Sequence, residues 1–279
     1  MSYKTWIVTP LLIAFFTPFC SANDATWFRN TPMQSTMEAL LEKQPRRAWQ
    51  ELTLALSQNR IEPIHWQPVK EAILAQSNCG HQLDTSLSAM PPRLTLSFIS
   101  RSGFSSSGYQ IKVSTEETQQ GGHFSLITPQ GISLLSGEIE PHKNYQEWET
   151  DELITSPEAG VYYLKYNRNE LPVVVSRYDS NHWLNRSTMD SSQIQASLPQ
   201  LNNGCAKPVV NLQWFDSEYN QVKDKKALEV TSTKITLEQL QPPPNARHLS
   251  ASTLIFEYQP GVKVEYIHRI SLPFSNRDK

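Results

Sequence analysis

The stretch SASTLIFEYQ-PG-VKVEYIHRISL, residues 250–272, closes the chain with a pattern that decides its fold class. Two runs suited to β-strands flank a Pro-Gly pair, and this pair favours a tight turn. The stretch therefore predicts a β-hairpin. A further strand is expected over Pro208–Asp216, and the rigid Pro242-Pro243-Pro244 connector lies between the two. Residues 201–279 are accordingly predicted to form a β-sandwich unit.

The region before it, residues 91–200, has the same texture. Arg93–Ser100 alternates Leu94, Leu96 and Phe98 with other residues, as a strand with one buried face does. Turn signals separate the further strands that we expect, which are Tyr109–Val113, His123–Thr128, Ile132–Leu135, Val161–Asn167 and Pro172–Arg177. A polar segment from about residue 179 to 205 suits a linker or long loop. Short strands at this spacing predict a first β-sandwich domain with a polar linker, so the two units are expected to be Ig-like.

The N-terminal region, residues 23–90, has helical patterns instead. Thr31-Pro32-Met33-Gln34 resembles a capping box with a proline at the first helical position. A second helix is expected from Pro45 and a third from about Pro68, ending near Gly80. The fold class is therefore predicted to be α+β and mainly β, with a short α-helical layer followed by two Ig-like β-sandwich units.

The first 22 residues predict export. Lys4 precedes an uncharged apolar run, Trp6 to Phe16, and Cys20-Ser21-Ala22 supplies small residues before Asn23, as in a secretory signal peptide. The run is too short to span a bilayer, and no later segment is apolar enough to do so. The bulky residue before Cys20 disfavours a lipoprotein. We expect cleavage after Ala22 and a periplasmic protein without a membrane span.

Two cysteines, Cys79 and Cys205, follow the signal segment. In an oxidising compartment an even pair predicts a disulfide, while two separate buried thiols are the alternative. A loop of more than a hundred residues gives a disulfide a stabilisation of about 4–5 kcal/mol in the chain-entropy model. A Cys79–Cys205 bond would join the entrances of the two predicted β units.

Charge and motifs narrow the function classes. With 25 basic and 27 acidic residues and no basic stripe, the chain is not expected to bind nucleic acid. It lacks the common nucleophile, zinc-protease, Walker and Rossmann motifs. The sequence therefore predicts no catalytic residues, no metal ligands and no cofactor.

Two tryptophans stand in polar surroundings. Trp148 lies among charged residues, and Trp183 follows Asp179 and His182 in a loop sequence. An exposed aromatic ring beside polar side chains can stack on a sugar or contact a protein, so these four residues are the candidate binding residues. The alternative is that the rings are packed in a core, as we expect for Trp49, Trp66 and Trp214.

A second candidate site combines distant residues. His123, presented after two glycines, could meet the acidic run that contains Glu147 and Asp151 and provide acid–base or metal chemistry. The alternative is a solvated acidic edge strand with an unrelated histidine.

The chain also resembles a known family. The segments Trp27-Phe28, Asn78-Cys79-Gly80-His81, Ala246–Ser250 and Glu265–Pro273 resemble an uncharacterised family of exported proteins from Vibrio and its relatives, DUF2861. The resemblance implies a periplasmic location. It also implies an association with a sensor-kinase system that responds to envelope damage, and it provides no catalytic residues.

These observations lead to three hypotheses. The first is a non-catalytic periplasmic binding or adaptor protein for envelope sensing or maintenance, with an envelope protein such as a sensor-kinase ectodomain as partner. The second is a carbohydrate- or peptidoglycan-binding module that uses Trp148 and Trp183. The third is a hydrolase whose site is assembled from distant residues.

Overall fold

A computed structural model describes residues 31–84, 93–103, 107–178, 183–186, 193–199, 204–228, 234–236 and 242–273. The predicted signal peptide, residues 1–22, lies outside them. The described helices are α1 Gln34–Leu41, α2 Pro45–Gln58 and α3 Pro63–Gln76. The described strands are β1 Leu94–Ser102, β2 Ser107–Glu116, β3 Gly122–Ile127, β4 Ser133–Ile139, β5 Tyr145–Glu149, β6 Gly160–Tyr166, β7 Asn169–Val175, β8 Leu184–Arg186, β9 Gln193–Ala196, β10 Val209–Phe215, β11 Lys226–Leu228, β12 Lys234–Thr236, β13 His248–Gln259 and β14 Val262–Pro273.

The helices form the predicted N-terminal layer, with two differences at their starts. α2 begins at Pro45 as predicted. The N-cap of α1 is Met33, two residues after the predicted Thr31, so α1 begins at Gln34. α3 begins at Pro63 and contains Pro68 in its interior. Proline is favoured in the first turn of a helix, so either proline is a possible start from the sequence. The structure begins α3 at Pro63, the earlier of the two.

The hairpin of β13 and β14 lies within a seven-stranded sheet of order β11-β10-β13-β14-β1-β2-β5. β14 pairs with β13 on one side and, in parallel, with β1 on the other, where Leu94 lies opposite Val262. Strands from both sides of residue 200 therefore belong to one sheet. The sequence boundary near residue 200 does not separate two sheets, because the β1–β14 pairing joins segments distant along the chain.

One core lies between this sheet and a four-stranded sheet of order β4-β3-β6-β7. Leu96 and Val264 from the larger sheet pack with Leu126 and Tyr162 from the smaller one. On β6 and β7 the neighbouring residues Val161 and Val174 belong to a second cluster with the helices. Alternation along these strands thus buries both faces of the four-stranded sheet.

A further core covers the other end of the β13–β14 hairpin. Trp214, Ala251 and Ile270 of the large sheet pack with Leu184 and Ile194. The last two belong to β8 and β9, which form a three-stranded sheet with β12. The prediction that residues 179–205 are a linker or long loop is therefore wrong where these two short strands form.

The fold is mainly β with three helices at its N-terminal side, as predicted. The two β cores share the seven-stranded sheet instead of having two sheets each. The Ig-like character predicted for each unit stays a prediction.

The predicted cysteine pairing is confirmed. The sulfur atoms of Cys79 and Cys205 lie 1.99 Å apart. Cys79 follows α3, and its carbonyl accepts a hydrogen bond from the backbone N–H of Tyr258 on β13 at 2.9 Å. The disulfide therefore ties the end of the helical layer to the segment that leads into β10.

Candidate functional site

A buried charge network joins the helices to both large sheets. Lys70 of α3 has no exposed surface, and its Nζ lies 2.5 Å from Oε1 of Glu257 on β13, which is 2% exposed. The same ammonium donates to Ser176 Oγ at 2.7 Å. Burial of an ion is costly unless opposite charge and hydrogen bonds compensate, and here both are present.

The rest of the network provides hydrogen bonds to the Glu257 carboxylate and to the backbone at the edge of the four-stranded sheet. Oε1 of Glu257 also accepts hydrogen bonds from Gln259 Nε2 at 2.8 Å and Tyr266 OH at 3.3 Å. The side-chain amide of Gln259 bonds both the N–H and the C=O of Val174, at 2.9 and 2.8 Å. It thereby pairs part of edge strand β7, whose backbone groups could otherwise bind another strand.

α3 protects the next part of this edge in the same way. Gln67 Nε2 donates to the carbonyl of Arg177 at 2.9 Å, and Gln67 Oε1 accepts from its N–H at 3.2 Å. Side chains from α3 and β13 thus hold the helical layer on the sheet through the backbone of one edge strand and the segment that follows it.

Burial changes the acid–base behaviour of this region. It lowers the pKa of Lys70, although the nearby Glu257 carboxylate opposes the change. Burial and then the charge of Glu257 raise the pKa of Tyr266 and of Tyr178. The tyrosine hydroxyls therefore stay protonated at neutral pH.

A small cavity lies beside the network. Ser176, Tyr178 and Tyr266 line it, and its volume is about 30 Å³. That is the space of about one water molecule. The Lys70–Ser176 hydrogen bond has the form of a nucleophile–base pair, but Ser176 is 5% exposed and the cavity is too small for a substrate. The network therefore serves to dock the helical layer.

A much larger concavity, which we call the interlayer groove, opens next to this cavity. It has a volume of about 1020 Å³ and lies between the α2–α3 connection, residues 56–63, and the segments 129–130 and 156–161 of the β layer. Trp66 and Val161 provide an apolar floor, while Arg60 and Glu62 are exposed at one side and Glu158 and Arg177 at the other. The groove thus has an apolar base and a rim with charges of both signs.

Three exposed isoleucines are close in sequence to the residues that line the interlayer groove. Ile64, Ile132 and Ile154 are 73%, 62% and 92% exposed, and each lies within two residues of a lining residue. Single exposed apolar residues are common on protein surfaces. Three of them next in sequence to lining segments add apolar surface beside the charged rim, which a partner protein can cover.

The structure places the two candidate tryptophans in cores. Trp183 is 5% exposed, and its ring packs edge-on against Tyr178 with centroids 5.8 Å apart. Trp148 is half-buried, with its ring 4.7 Å from that of Phe124. The expectation of an exposed Trp183 is wrong, because the ring fills space in the first core. Asp179 and His182 lie outside the described residues.

The second candidate set is not brought together by hydrogen bonds or ion pairs. His123 on β3 contacts Glu138 at 3.1 Å, whereas Glu147 on β5 pairs with Lys112 at 3.1 Å. The hydroxyl of Tyr145 also donates to Glu147, and this bond lowers the pKa of the Glu147 carboxyl. Within the described ranges, no group of three or more His, Cys, Asp or Glu residues could hold a metal ion. β5 is the edge strand of its sheet, as the alternative interpretation predicts.

Neither the buried charge network nor the interlayer groove is expected from the sequence. The sequence contains a signal for part of the network. Glu257 and Gln259 are separated from Ala251 and Ile255 by even numbers of residues along β13, so their side chains share the buried face of the strand. No comparable signal identifies Lys70, because a lysine on a helix is ordinarily exposed.

Comparisons with known proteins identify a family and little else. The model of a protein family of unknown function, DUF2861, matches residues 27–275. No curated protein sequence matches the chain. One similar solved structure is a single mutant (D468A) of a thermostable endoglucanase from Alicyclobacillus acidocaldarius, at 19% identity and a TM-score of 0.18 over 31% of this chain and 15% of that one. Another is the BSP domain of a biofilm-associated protein, at 10% identity and a TM-score of 0.19 over 67% of this chain and 30% of that one. The chain spans less than a third of either structure, and neither likeness carries an argument about fold or function.

Proposed function

We propose that this chain, which belongs to the DUF2861 family, is a non-catalytic adaptor protein whose interlayer groove binds a segment of an envelope protein. The observation that carries the proposal is the combination of an apolar floor, a charged rim and three flanking exposed isoleucines. Protein interfaces have this anatomy, with an apolar centre inside a polar border.

The charges of the rim favour a protein partner. Each side of the interlayer groove carries one arginine and one glutamate, Arg60 with Glu62 and Arg177 with Glu158, so the rim has no single sign. A polypeptide segment with charges of both signs can complement such a rim, whereas a uniformly charged polymer would meet like charge on both sides of the groove.

The proposed compartment is the periplasm. The predicted signal segment supports export, and the Cys79–Cys205 disulfide is of the kind that persists in an oxidising compartment. Within the described residues, no helix is long and apolar enough to cross a membrane. We propose an envelope protein as partner and, from the family resemblance, the ectodomain of a sensor kinase as the first candidate to test.

The test compares partner capture by three forms of the full-length protein. Ile64→Asp combined with Ile154→Asp places charge on both sides of the interlayer groove. Leu41→Asp is the matched control, because Leu41 is 75% exposed and lies at the end of α1, beside the far end of α3. Each tagged form is cross-linked in cells that naturally make the protein, and the recovered partner is then purified and titrated against it.

We expect one envelope protein to bind both the unmodified chain and the Leu41→Asp control saturably. The double isoleucine variant should bind at least about tenfold more weakly, since two apolar contacts are replaced by charges that must be desolvated. Equal binding by all three forms would contradict a role for the interlayer groove.

The carbohydrate alternative through Trp148 and Trp183 loses its original support, because both rings pack in a core. The hydrolase alternative stays a separate proposal, tested by incubating the purified protein with envelope polymers. Cleavage that is lost in His123→Ala or Glu147→Gln would support it.

A further inference from the structure

The outer face of the seven-stranded sheet carries a second concavity, of about 590 Å³. It lies at one end of β13 and β14, beside the end of β10, and most of its lining side chains leave the face opposite both β cores. Phe215 is the cross-strand partner of His248, and Ser250 is the partner of Ser271. We call this concavity the outer-face pocket. It lies on a different layer from the interlayer groove and shares no lining residue with it.

An aromatic pair forms one end of the outer-face pocket. The rings of Tyr219 and His248 are stacked, with centroids 4.2 Å apart and planes 14° from parallel. Tyr219 is 69% exposed, so part of its ring faces solvent. The turn that carries it is held by Asp216, whose Oδ1 accepts hydrogen bonds from the N–H groups of Glu218 and Asn220, each at 2.9 Å. The ring is therefore presented on a fixed turn.

Arg269 lines the other end of the pocket, and Arg101 on the neighbouring strand lies beside it. Arg101 on β1 is the register partner of Arg269 on β14, so the two guanidinium groups leave the same face of the sheet side by side. Neither forms an ion pair with a carboxylate in the part of the chain that the structure describes. The buried Nε of Arg101 has no hydrogen-bond partner there either. Like charges placed side by side are stabilised when an anion binds between them.

The surroundings of Arg269 favour the binding of an anion. Burial and the charge of Arg101 lower the pKa of Arg269, although Glu149 opposes this effect. Asp216, the carboxylate near His248, is already engaged by its own turn. A bound carboxylate or phosphate would restore the stability of the charged form of Arg269.

From these contacts we infer that the outer-face pocket binds an acidic oligosaccharide. The guanidinium groups of Arg269 and Arg101 hold its carboxylate or phosphate, and one sugar ring stacks on Tyr219. The hydroxyls of Ser250 and Ser271 lie between these ends and can bond sugar hydroxyls. Arg269 and Pro273, the register partner of His248, are four residues apart along β14, about 13 Å. A ligand that reaches both ends therefore needs more than one sugar ring.

Binding to the full-length protein is tested by titration calorimetry at low ionic strength with four probes. Tetragalacturonate carries carboxylates and a singly phosphorylated maltotetraose carries phosphate. Unmodified maltotetraose has the rings without the charge, and tetraglutamate has the charge without the rings. The pocket is expected to bind one or both acidic sugars saturably, and more tightly than maltotetraose or tetraglutamate.

Variants locate the site. Arg269→Gln should weaken binding of the acidic sugar by roughly tenfold to a hundredfold, the range for loss of a hydrogen bond to a charged group. Tyr219→Ala should weaken it by about three- to tenfold through loss of stacking. Lys226→Gln removes the same charge from exposed edge strand β11 and should leave the affinity unchanged.

Three results would overturn the inference: no saturable binding of either acidic sugar, equal affinity in Arg269→Gln, or maltotetraose or tetraglutamate binding as tightly as the acidic sugar that binds best. Because the interlayer groove is intact in all these variants, their failure would not affect the proposed protein-binding function.

Discussion

Lys70 and Glu257 determine how firmly the helical layer is attached to the β layers. Each has 3% or less of its side chain exposed, and their contact excludes solvent. A buried ion pair contributes little net stability compared with apolar residues of the same size, but removal of one partner leaves a buried charge without compensation. We expect the pair to make the docking of α3 specific, because a shifted helix would leave Glu257 without its counter-ion.

We expect Lys70→Met to destabilise the protein by about 3–5 kcal/mol, because Glu257 loses its counter-ion in a buried site. Urea unfolding followed by tryptophan fluorescence measures this change. Lys165→Met is the matched control: its ion pair with Glu170 is about half exposed, so a loss of at most about 1 kcal/mol is expected. The double variant Lys70→Met/Glu257→Gln should recover part of the loss, and no recovery would argue against the charge explanation.

Tyr178 gives the protein a pH dependence in the alkaline range. Burial, Glu257 and Glu71 raise its pKa above the ordinary value of 10.0. At pH values below 10.0, Tyr178 keeps its phenolic proton in both the folded and the unfolded state. Above this value the unfolded state releases the proton while the folded state keeps it, so stability falls as pH rises, by up to about 1.4 kcal/mol per pH unit.

Urea midpoints of the unmodified protein and Tyr178→Phe, measured between about pH 9 and 11, test this effect. The variant should lose less stability than the unmodified protein over that range, because it lacks the titrating group. Parallel curves for the two proteins would contradict the raised pKa.

At the scale of elements, the fold depends on how closely α3 approaches β13. Gly80 has a φ of +86°, and a Cβ atom there would lie 1.8 Å from the carbonyl oxygen of Tyr258. The disulfide from Cys79 is adjacent. Sequence patterns identified α2 through Pro45, the β13–β14 hairpin through Pro260-Gly261, and the pairing of the two cysteines. They could not identify the parallel β1–β14 contact, since strand pairing between distant segments leaves no local pattern.

Gly80→Ala should destabilise the protein more than Gly131→Ala does. Gly131 has a φ of +81° and no atom within 4 Å of an added Cβ, so it isolates the backbone strain, about 1 kcal/mol. The extra loss at Gly80 measures the clash with Tyr258. Thermal unfolding of both variants makes the comparison, and equal losses would show that β13 does not constrain this turn.

The disulfide is expected to contribute about 4 kcal/mol, because it closes a long loop in the unfolded chain. The double variant Cys79→Ser/Cys205→Ser should lose about this much in urea unfolding. Reducing agent should lower the stability of the unmodified protein to a similar level and leave the double variant unchanged. An unmodified protein insensitive to full reduction would contradict the expectation.

At the scale of the whole molecule, one sheet carries two β cores on one face and the outer-face pocket on the other. The helical layer lies on the four-stranded sheet and borders the interlayer groove. Composition and turn spacing were enough to predict a mainly β protein with N-terminal helices. The interlayer groove was beyond prediction, because its lining comes from four separate parts of the chain that meet only in space. The exposure expected for Trp183 was wrong for the same reason. Its polar neighbours in sequence do not determine its surroundings in space, and the ring is buried.

Site-specific photo-cross-linking in living cells tests most directly whether the interlayer groove binds the partner protein. A photoreactive amino acid replaces Arg60 or Gln130 at the interlayer groove, or Leu41 at the far end of the helical layer. We expect both groove positions to cross-link to the same envelope protein and position 41 not to do so. Cross-links to that protein from all three positions, or from none, would contradict the claim that this groove is the binding site.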